Sequence, residues 1–343
     1  MTFKITILPS GRRRWLWIGL QIVIFGVLFF ATSFYVTSMP GRSYSGPLRG
    51  LSDIDVQTRE KLKQHVSVLA ERIGERNTKR YDSLKAALKY IKDTFEVEAF
   101  HVYEQEYFVG STSVTNVETE LPGTQKPDEV IIIGAHYDSV SGSPGANDNA
   151  SGVAALLELA RNLKDRGPAR TIRFVAFANE EPPYFQTDGM GSRVYARRSR
   201  ERGERIIGMI SLETIGYYSD LEKSQLYPFP FSLYYPSKGD FLGFVGNISS
   251  RALVRRAVEV FRADAALPSQ GIAAPGWLTG VGWSDQWSFW KEDYPAIMIT
   301  DTAIFRYPHY HRLSDTPDKL DYDRMARAVS GISRVIMDLA SGR

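Results

Sequence analysis

The sequence predicts an α/β fold, a mostly parallel sheet covered on both faces by helices, preceded by one transmembrane helix. Three observations predict it. Beyond residue 129, short β-branched runs alternate with amphipathic helical stretches, the signature of successive strand–helix crossovers. Glu129 to Ala135 (EVIIIGA) is a short apolar, β-branched run, as expected of a strand buried on both faces. Trp15 to Val36 runs for 22 residues without a charged side chain.

That apolar run, WLWIGLQIVIFGVLFFATSFYV, follows Arg12-Arg13-Arg14. At about 1.5 Å per residue it is long enough to cross a hydrocarbon core of about 30 Å. A cleaved signal peptide, the first alternative, has an apolar region of only about 7–15 residues. A buried core helix, the second, sits poorly with aromatics near both ends and no polar face. We read residues 15–36 as an uncleaved signal anchor. Positive charge keeps residues 1–14 cytoplasmic, so the rest of the chain faces outward. None of the 343 residues is cysteine, which excludes disulfides, thiolate metal sites and a cysteine nucleophile. An exported chain without disulfides suits a bacterial periplasm or cell exterior. The net charge of +3, with no other basic block, gives no footprint for nucleic acid.

Met39 to Gly50 is rich in Gly, Pro and Ser and reads as a linker within residues 37–50. Thr58 to Ile73 and Ser83 to Phe95 space their apolar residues as helices do (Val66, Leu69, Ile73; Leu84, Leu88, Ile91). Ala99–Val109 and Val114–Leu121 read as antiparallel strands. After EVIIIGA come a helix over Ala150–Leu163, a strand over Thr171–Ala178 and a helix over Arg193–Arg202. A strand over Ile206–Ile215, a helix over Asp240–Asp264, a strand over Ala296–Thr300 and a helix over Tyr322–Leu339 complete the chain. Tyr217 to Gly239 has no periodicity and reads as a long loop, a class of segment that is often functional. No internal repeat or second linker divides the outer portion, which reads as one domain.

In open α/β sheets the site lies beyond the carboxyl ends of the strands. His136 and Asp138 follow EVIIIGA, Asp148 precedes a helix in GANDNASG, and Glu180 and Glu181 end TIRFVAFANEE. Glu213 closes another strand, and His309 and His311 follow the last. Singly, each has a plain explanation as a loop residue, an N-cap or a solvated pair. Together, acidic groups next to apolar strands repel one another unless they share a cation. A His/carboxylate mixture without thiolate suits Zn²⁺, whereas Mg²⁺ or Ca²⁺ asks for more oxygen. There is no G-x-S-x-G, H-E-x-x-H or nucleotide-binding glycine loop.

HYDS, GANDNASG, NEE, LETIG and YHRLSDTPDKLD resemble, in order and spacing, the motif series of the M28 zinc aminopeptidases and carboxypeptidases. The resemblance implies a three-layer α/β/α sandwich over residues 51–343 and a dinuclear zinc site. By position it implies His136 and Glu213 on one zinc, Glu181 and His311 on the other, and Asp148 bridging. It also implies Glu180 as general base and a non-proline cis peptide at Asp148–Asn149. Asp138 would orient His136 by accepting its remaining N–H. Tyr310 is a candidate oxyanion donor, its plain alternative a packing aromatic. Two features depart from the family: Glu213 where most two-zinc members carry Asp, and the insertion Pro182 to Thr187 after Glu181. Arg306 is a candidate for a substrate carboxylate or else a surface residue, and Trp277, Trp283 and Trp287 are candidates for an apolar pocket or the core. The expected activity is that of a membrane-anchored aminopeptidase acting on peptides. Its alternatives are a single-zinc glutaminyl-cyclase-like acyltransferase and a non-catalytic receptor-like ectodomain.

Overall fold

The computed structural model describes residues 11–264 and 267–342. Most of the 1–14 tail lies outside the described residues. The chain separates into two units, residues 1–38 and 39–343. In the first, α1 (Arg12–Thr37) is a helix whose segment Trp15–Thr37 has a mean hydropathy of 2.0 over its most apolar window.

The second unit is built on eight strands: β1 (Tyr103–Val109), β2 (Thr112–Leu121), β3 (Lys126–His136), β4 (Arg170–Phe177), β5 (Arg205–Glu213), β6 (Leu242–Gly246), β7 (Ser269–Ala273) and β8 (Ala296–Thr300). Their order is β1-β2-β4-β3-β5-β8-β6-β7. The central four, β4, β3, β5 and β8, run parallel, so their carboxyl ends share one edge. β2 against β4 and β6 against β8 are antiparallel, which makes the sheet mixed.

Side-chain alternation sorts the core into two faces. Ile131, Ile133, Ile210, Leu212, Ile297 and Ile299 point to one face. They meet α2 (Asp53–Ser67), α3 (Tyr81–Val97), α4 (Gly152–Leu163), α6 (Arg251–Asp264) and α8 (Tyr322–Leu339). Ile132, Phe177, Met209 and Ala296 point the other way, to Tyr195 on α5 (Gly191–Glu201) and Phe289 on α7 (Gln286–Trp290). The second layer is the thinner one.

Two segments differ from the sequence reading. The helix expected over Asp240–Asp264 is β6 followed by α6. LGFVG pairs with β8 and β7, and the Asn247 side chain then accepts the amide hydrogen of Ser250 to turn the chain into the helix. β7, only five residues long, carries too little periodicity to be read. The start of the linker is also fastened to the body. Arg262 donates to the carbonyls of Pro40 (2.9 Å) and Gly41 (3.2 Å), and Ser43 Oγ accepts from the amide of Ser269 (2.9 Å).

Candidate metal centre

The parallel strands deliver their acidic and imidazole side chains to one edge of the sheet. His136 is the last residue of β3, Glu213 the last of β5, and Glu180 and Glu181 follow β4. Asp148 stands in the loop before α4, and its peptide bond to Asn149 is cis. His311 comes from the loop after β8. Asn179, Thr214 and His311, each at or beside these positions, have left-handed backbones (φ 57°, 44° and 58°), a conformation that clusters at functional sites.

Asp148 occupies the middle. Its Oδ1 lies 3.4 Å from His136 Nε2, and its Oδ2 lies 3.0 Å from His311 Nε2. Glu213 closes the first group at 3.2 Å from His136 Nε2. Glu181 closes the second at 3.3 Å from His311 Nε2. Within each triad the potential ligand atoms lie within 4.8 Å of one another. His136 Nε2, His311 Nε2 and Asp148 Oδ2 are buried without a hydrogen-bond partner. Orphaned buried donors and acceptors converging on two points, all of nitrogen and carboxylate type, fit a pair of divalent cations of zinc's preference.

The electrostatics agree. Burial alone would lower the His136 imidazole, but Glu213 and Glu180 outweigh it and hold it well above its ordinary value. His311, likewise opposed by burial, is raised to about 10 by Asp148 and Glu181. Burial pushes Glu180 well above the carboxylate range and Glu181 up to about 7. The buried acids therefore draw both imidazoles toward the charged form, the electrostatic demand that a cation would meet.

Neighbouring contacts set the orientation of these groups. Ser284 donates to Glu213 (2.7 Å), and the Val140 amide donates to Glu181 (3.1 Å). Asp138 lies 3.5 Å from His136 Nδ1, too long for a hydrogen bond. Its two oxygens instead accept the amides of Glu180 and Glu181, both at 3.1 Å. Glu180 itself stands 4.0 Å from His136 Nε2, adjacent to both triads and a member of neither. Tyr310 is stacked on the His311 ring (centroids 3.9 Å apart) with its phenol raised by burial and by the nearby carboxylates. His309 is not part of the cluster; it bonds Ser314 Oγ at 2.9 Å.

Several residues at the site escaped the sequence reading. Asp315, fully buried, accepts the amides of Asn147 (2.8 Å) and Asp148 (3.1 Å) and the Tyr307 hydroxyl (2.7 Å). Asp301 accepts from Asn147 Nδ2 and from the Tyr217 amide, both at 2.8 Å. Arg76, also fully buried, donates to the carbonyls of Tyr137, Pro144 and Gly145 and so ties the end of β3 to the Asp148 loop. Asp285 is buried with neither oxygen hydrogen-bonded, and burial raises it to about 7. Arg306 is not a surface residue: it is buried against Phe241 and donates to Gln225 Oε1 and the carbonyls of Tyr217 and Phe241. Of the three tryptophans, Trp283 lines the cavity beside the centre, and Trp277 is exposed.

The pattern that defines peptidase family M28 matches residues 116–336, from β2 through α8. The chain belongs to that zinc metallopeptidase family. The uncharacterized protein YfbL of Escherichia coli K12 is 40% identical to this M28 chain over 282 residues, 80% of this chain and 86% of that one. Among solved structures, the zinc aminopeptidase BSAP of Bacillus subtilis shares the M28 fold at a TM-score of 0.64 and 15% identity, over 83% of this chain and 95% of that one. The glutaminyl cyclase of Fimbriiglobus ruber shares it at 0.60 and 20%, over 89% and 99%.

Proposed function

We propose that the protein is a membrane-anchored dinuclear zinc aminopeptidase that removes N-terminal residues from peptides. The observation that carries this reading is the division of Asp148: each of its oxygens faces a different imidazole, so two ligand sets share one carboxylate. His136 and Glu213 would hold one ion, Glu181 and His311 the other, with Asp148 between them. Zinc bound there would supply Lewis acidity toward the scissile carbonyl and lower the pKa of water.

The chain's own groups do the rest. Glu180, whose backbone amide is fixed by Asp138 and whose carboxylate lies 4.0 Å from His136 Nε2, takes the proton of the attacking water and passes it to the leaving nitrogen as the C–N bond breaks. The Tyr310 hydroxyl, positioned by its stacking on His311, donates to the carbonyl oxygen as that oxygen gains charge. Carboxylates crowd the centre, and Arg306 spends Nε and Nη1 on Gln225 and two carbonyls, with its unpartnered Nη2 buried and the residue absent from the cavity lining. These surroundings favour a free α-ammonium over a terminal carboxylate. Helix α1, with its apolar Trp15–Thr37, serves as the anchor.

The test is elemental analysis of the chain from Met39 onward, together with hydrolysis of free and N-acetylated dipeptides. About two zinc ions per chain, with only free substrates cleaved at the internal bond, agrees with the proposal. One zinc with cyclisation of N-terminal glutamine would replace it with the activity named for the Fimbriiglobus protein. No metal uptake and no turnover would leave a non-catalytic ectodomain.

A further inference from the structure

The sheet beside the metal centre carries a channel whose floor can be read from strand register. Glu213 on β5 pairs with Thr300 on β8, Thr300 with Gly243 on β6, and Gly243 with Gln270 on β7. Directly paired residues share a face, so these four form one row, on the side of the sheet that holds α5 and α7. A second row, Met298–Val245–Ile272, runs beside it. All seven residues line a single cavity of about 860 Å³, its open mouth included, with Tyr310 at the Glu213 end. The row crosses three strand spacings of about 4.8 Å, a length of about 14 Å.

This space exists because the helix layer on that face is thin. Instead of a helix, the Tyr217–Gly239 segment covers β6 and β7. Tyr227, Phe231 and Tyr235 form the roof, and the Tyr235 hydroxyl is fixed to the Gly271 carbonyl at 2.7 Å. In the middle of the floor Gly243 leaves the path open. A Cβ there would meet the Thr300 carbonyl oxygen at 3.2 Å, and a longer side chain would project along the channel.

The walls are mainly apolar, with Glu213, Tyr310, Gln270 and Thr279 among the polar side chains that line them. Gln225 is saturated by Leu226, Thr302 and Arg306, and Thr300 Oγ1 bonds Thr214 Oγ1 and the Thr302 amide. Among the described residues, no lining side chain has a buried polar atom without a partner. A peptide backbone would bring an N–H and a C=O per residue that need partners. An encoded side chain is too short, the longest unbranched apolar stem being lysine's, about four carbons. A linear chain of roughly twelve carbons, whose zigzag of about 1.5 Å bonds advances about 1.3 Å per bond, matches the length.

We propose that the channel binds a linear acyl chain and that the centre hydrolyses N-acyl amides, in which a fatty acyl group is joined to an amino acid or a peptide N-terminus. This rests on the hydrolytic reading above. The acyl carbonyl would occupy the place of the scissile carbonyl, with its chain running from Glu213 toward Gln270. Water oxygen adds to that carbon, the C–N bond breaks, and the proton taken by Glu180 goes to the nitrogen. The products are a fatty carboxylate and a free amine.

The experiment uses purified, zinc-loaded full-length protein in amphipol and N-acyl-alanines from acetyl through palmitoyl, with alanyl-p-nitroanilide assayed in parallel. We expect kcat/KM to rise about fourfold per methylene, from the transfer free energy of a buried CH₂, and to level off near twelve carbons. Gly243→Leu should move that plateau to a shorter chain, and Ile272→Trp should trim only the longest. Decanoate should raise the melting temperature of the parent protein more than that of either variant, and the two variants back each other up should one fail to fold. A flat chain-length series alongside normal anilide turnover overturns the acyl-channel inference alone. Loss of turnover on both substrate classes with zinc bound overturns the aminopeptidase reading with it.

Discussion

Replacing Asp315 by alanine tests whether the centre depends on a residue that touches no proposed ligand side chain. Its carboxylate accepts two amides of the Asp148 loop and the Tyr307 hydroxyl, all away from water. Each buried donor left without an acceptor costs about 1–3 kcal/mol, offset in part by relief of the buried charge. A net loss of about 3 kcal/mol follows, near a hundredfold in the folding constant. The assay is urea unfolding of the metal-free protein, with a competitive zinc titration on the folded variant. Zinc affinity should fall as well, because the loop that presents Asp148 loses its fastening. The control is Asp318→Ala in the same segment, where the side chain is exposed and paired only with Thr316 and Lys319; it should change stability by less than about 0.5 kcal/mol. If Asp315→Ala matches that control in both assays, the fastening argument is wrong.

Glu180→Gln should keep its zinc and lose about 10²–10⁴-fold in kcat, and normal hydrolysis by that variant would remove Glu180 as the base. Gly145→Ala should cost about 1–3 kcal/mol, read by thermal unfolding, because its φ is +62° and a Cβ would lie 2.4 Å from the Asp148 carbonyl oxygen. The metal-free protein should lose stability as pH rises. Folded Glu181 holds its proton to about 7 and folded His311 to about 10, so the folded state binds more protons than the unfolded chain across that range. For the same reason zinc uptake at neutral pH should release protons, measurable by calorimetry in buffers of different ionisation enthalpy. Cutting the chain after Val36 should move the protein from the membrane pellet to the supernatant without changing kcat/KM; a truncated form that stays in the pellet refutes the simple anchor.

Much of the fold was legible because its signals are local. EVIIIGA reads as a doubly buried strand, and Leu84, Leu88 and Ile91 mark a helix face whatever surrounds them. The proposed ligands were legible because each ends a strand or stands in the loop beyond one. β6 and β7 were not: five residues give too short a period, and the two glycines of LGFVG weaken the strand signal further. Asp315 and Asp301 were missed for a different reason. The groups they bind lie 168 and 154 positions away, so their neighbourhood exists only once the sheet has formed. Arg306, read as a candidate for a substrate carboxylate or else a surface residue, is buried and holds Tyr217 and Gln225 of the Tyr217–Gly239 segment, 89 and 81 positions distant.

The thinness of one helix layer has a further meaning for how the molecule breathes. Every proposed ligand springs from β3, β4, β5 or the loops around α4 and β8, regions packed against the thick layer. The roof over β6 and β7 is a loop, held by separate hydrogen bonds such as Tyr235 to Gly271, Arg306 to Tyr217 and Gln225, and the Leu226 amide to Phe305. Local opening requires least free energy where apolar contacts are fewest. In amide hydrogen exchange the Tyr217–Gly239 roof should therefore lose protection long before β3 and β5. A bulky apolar guest can then enter by lifting the roof while the chelating framework stays closed.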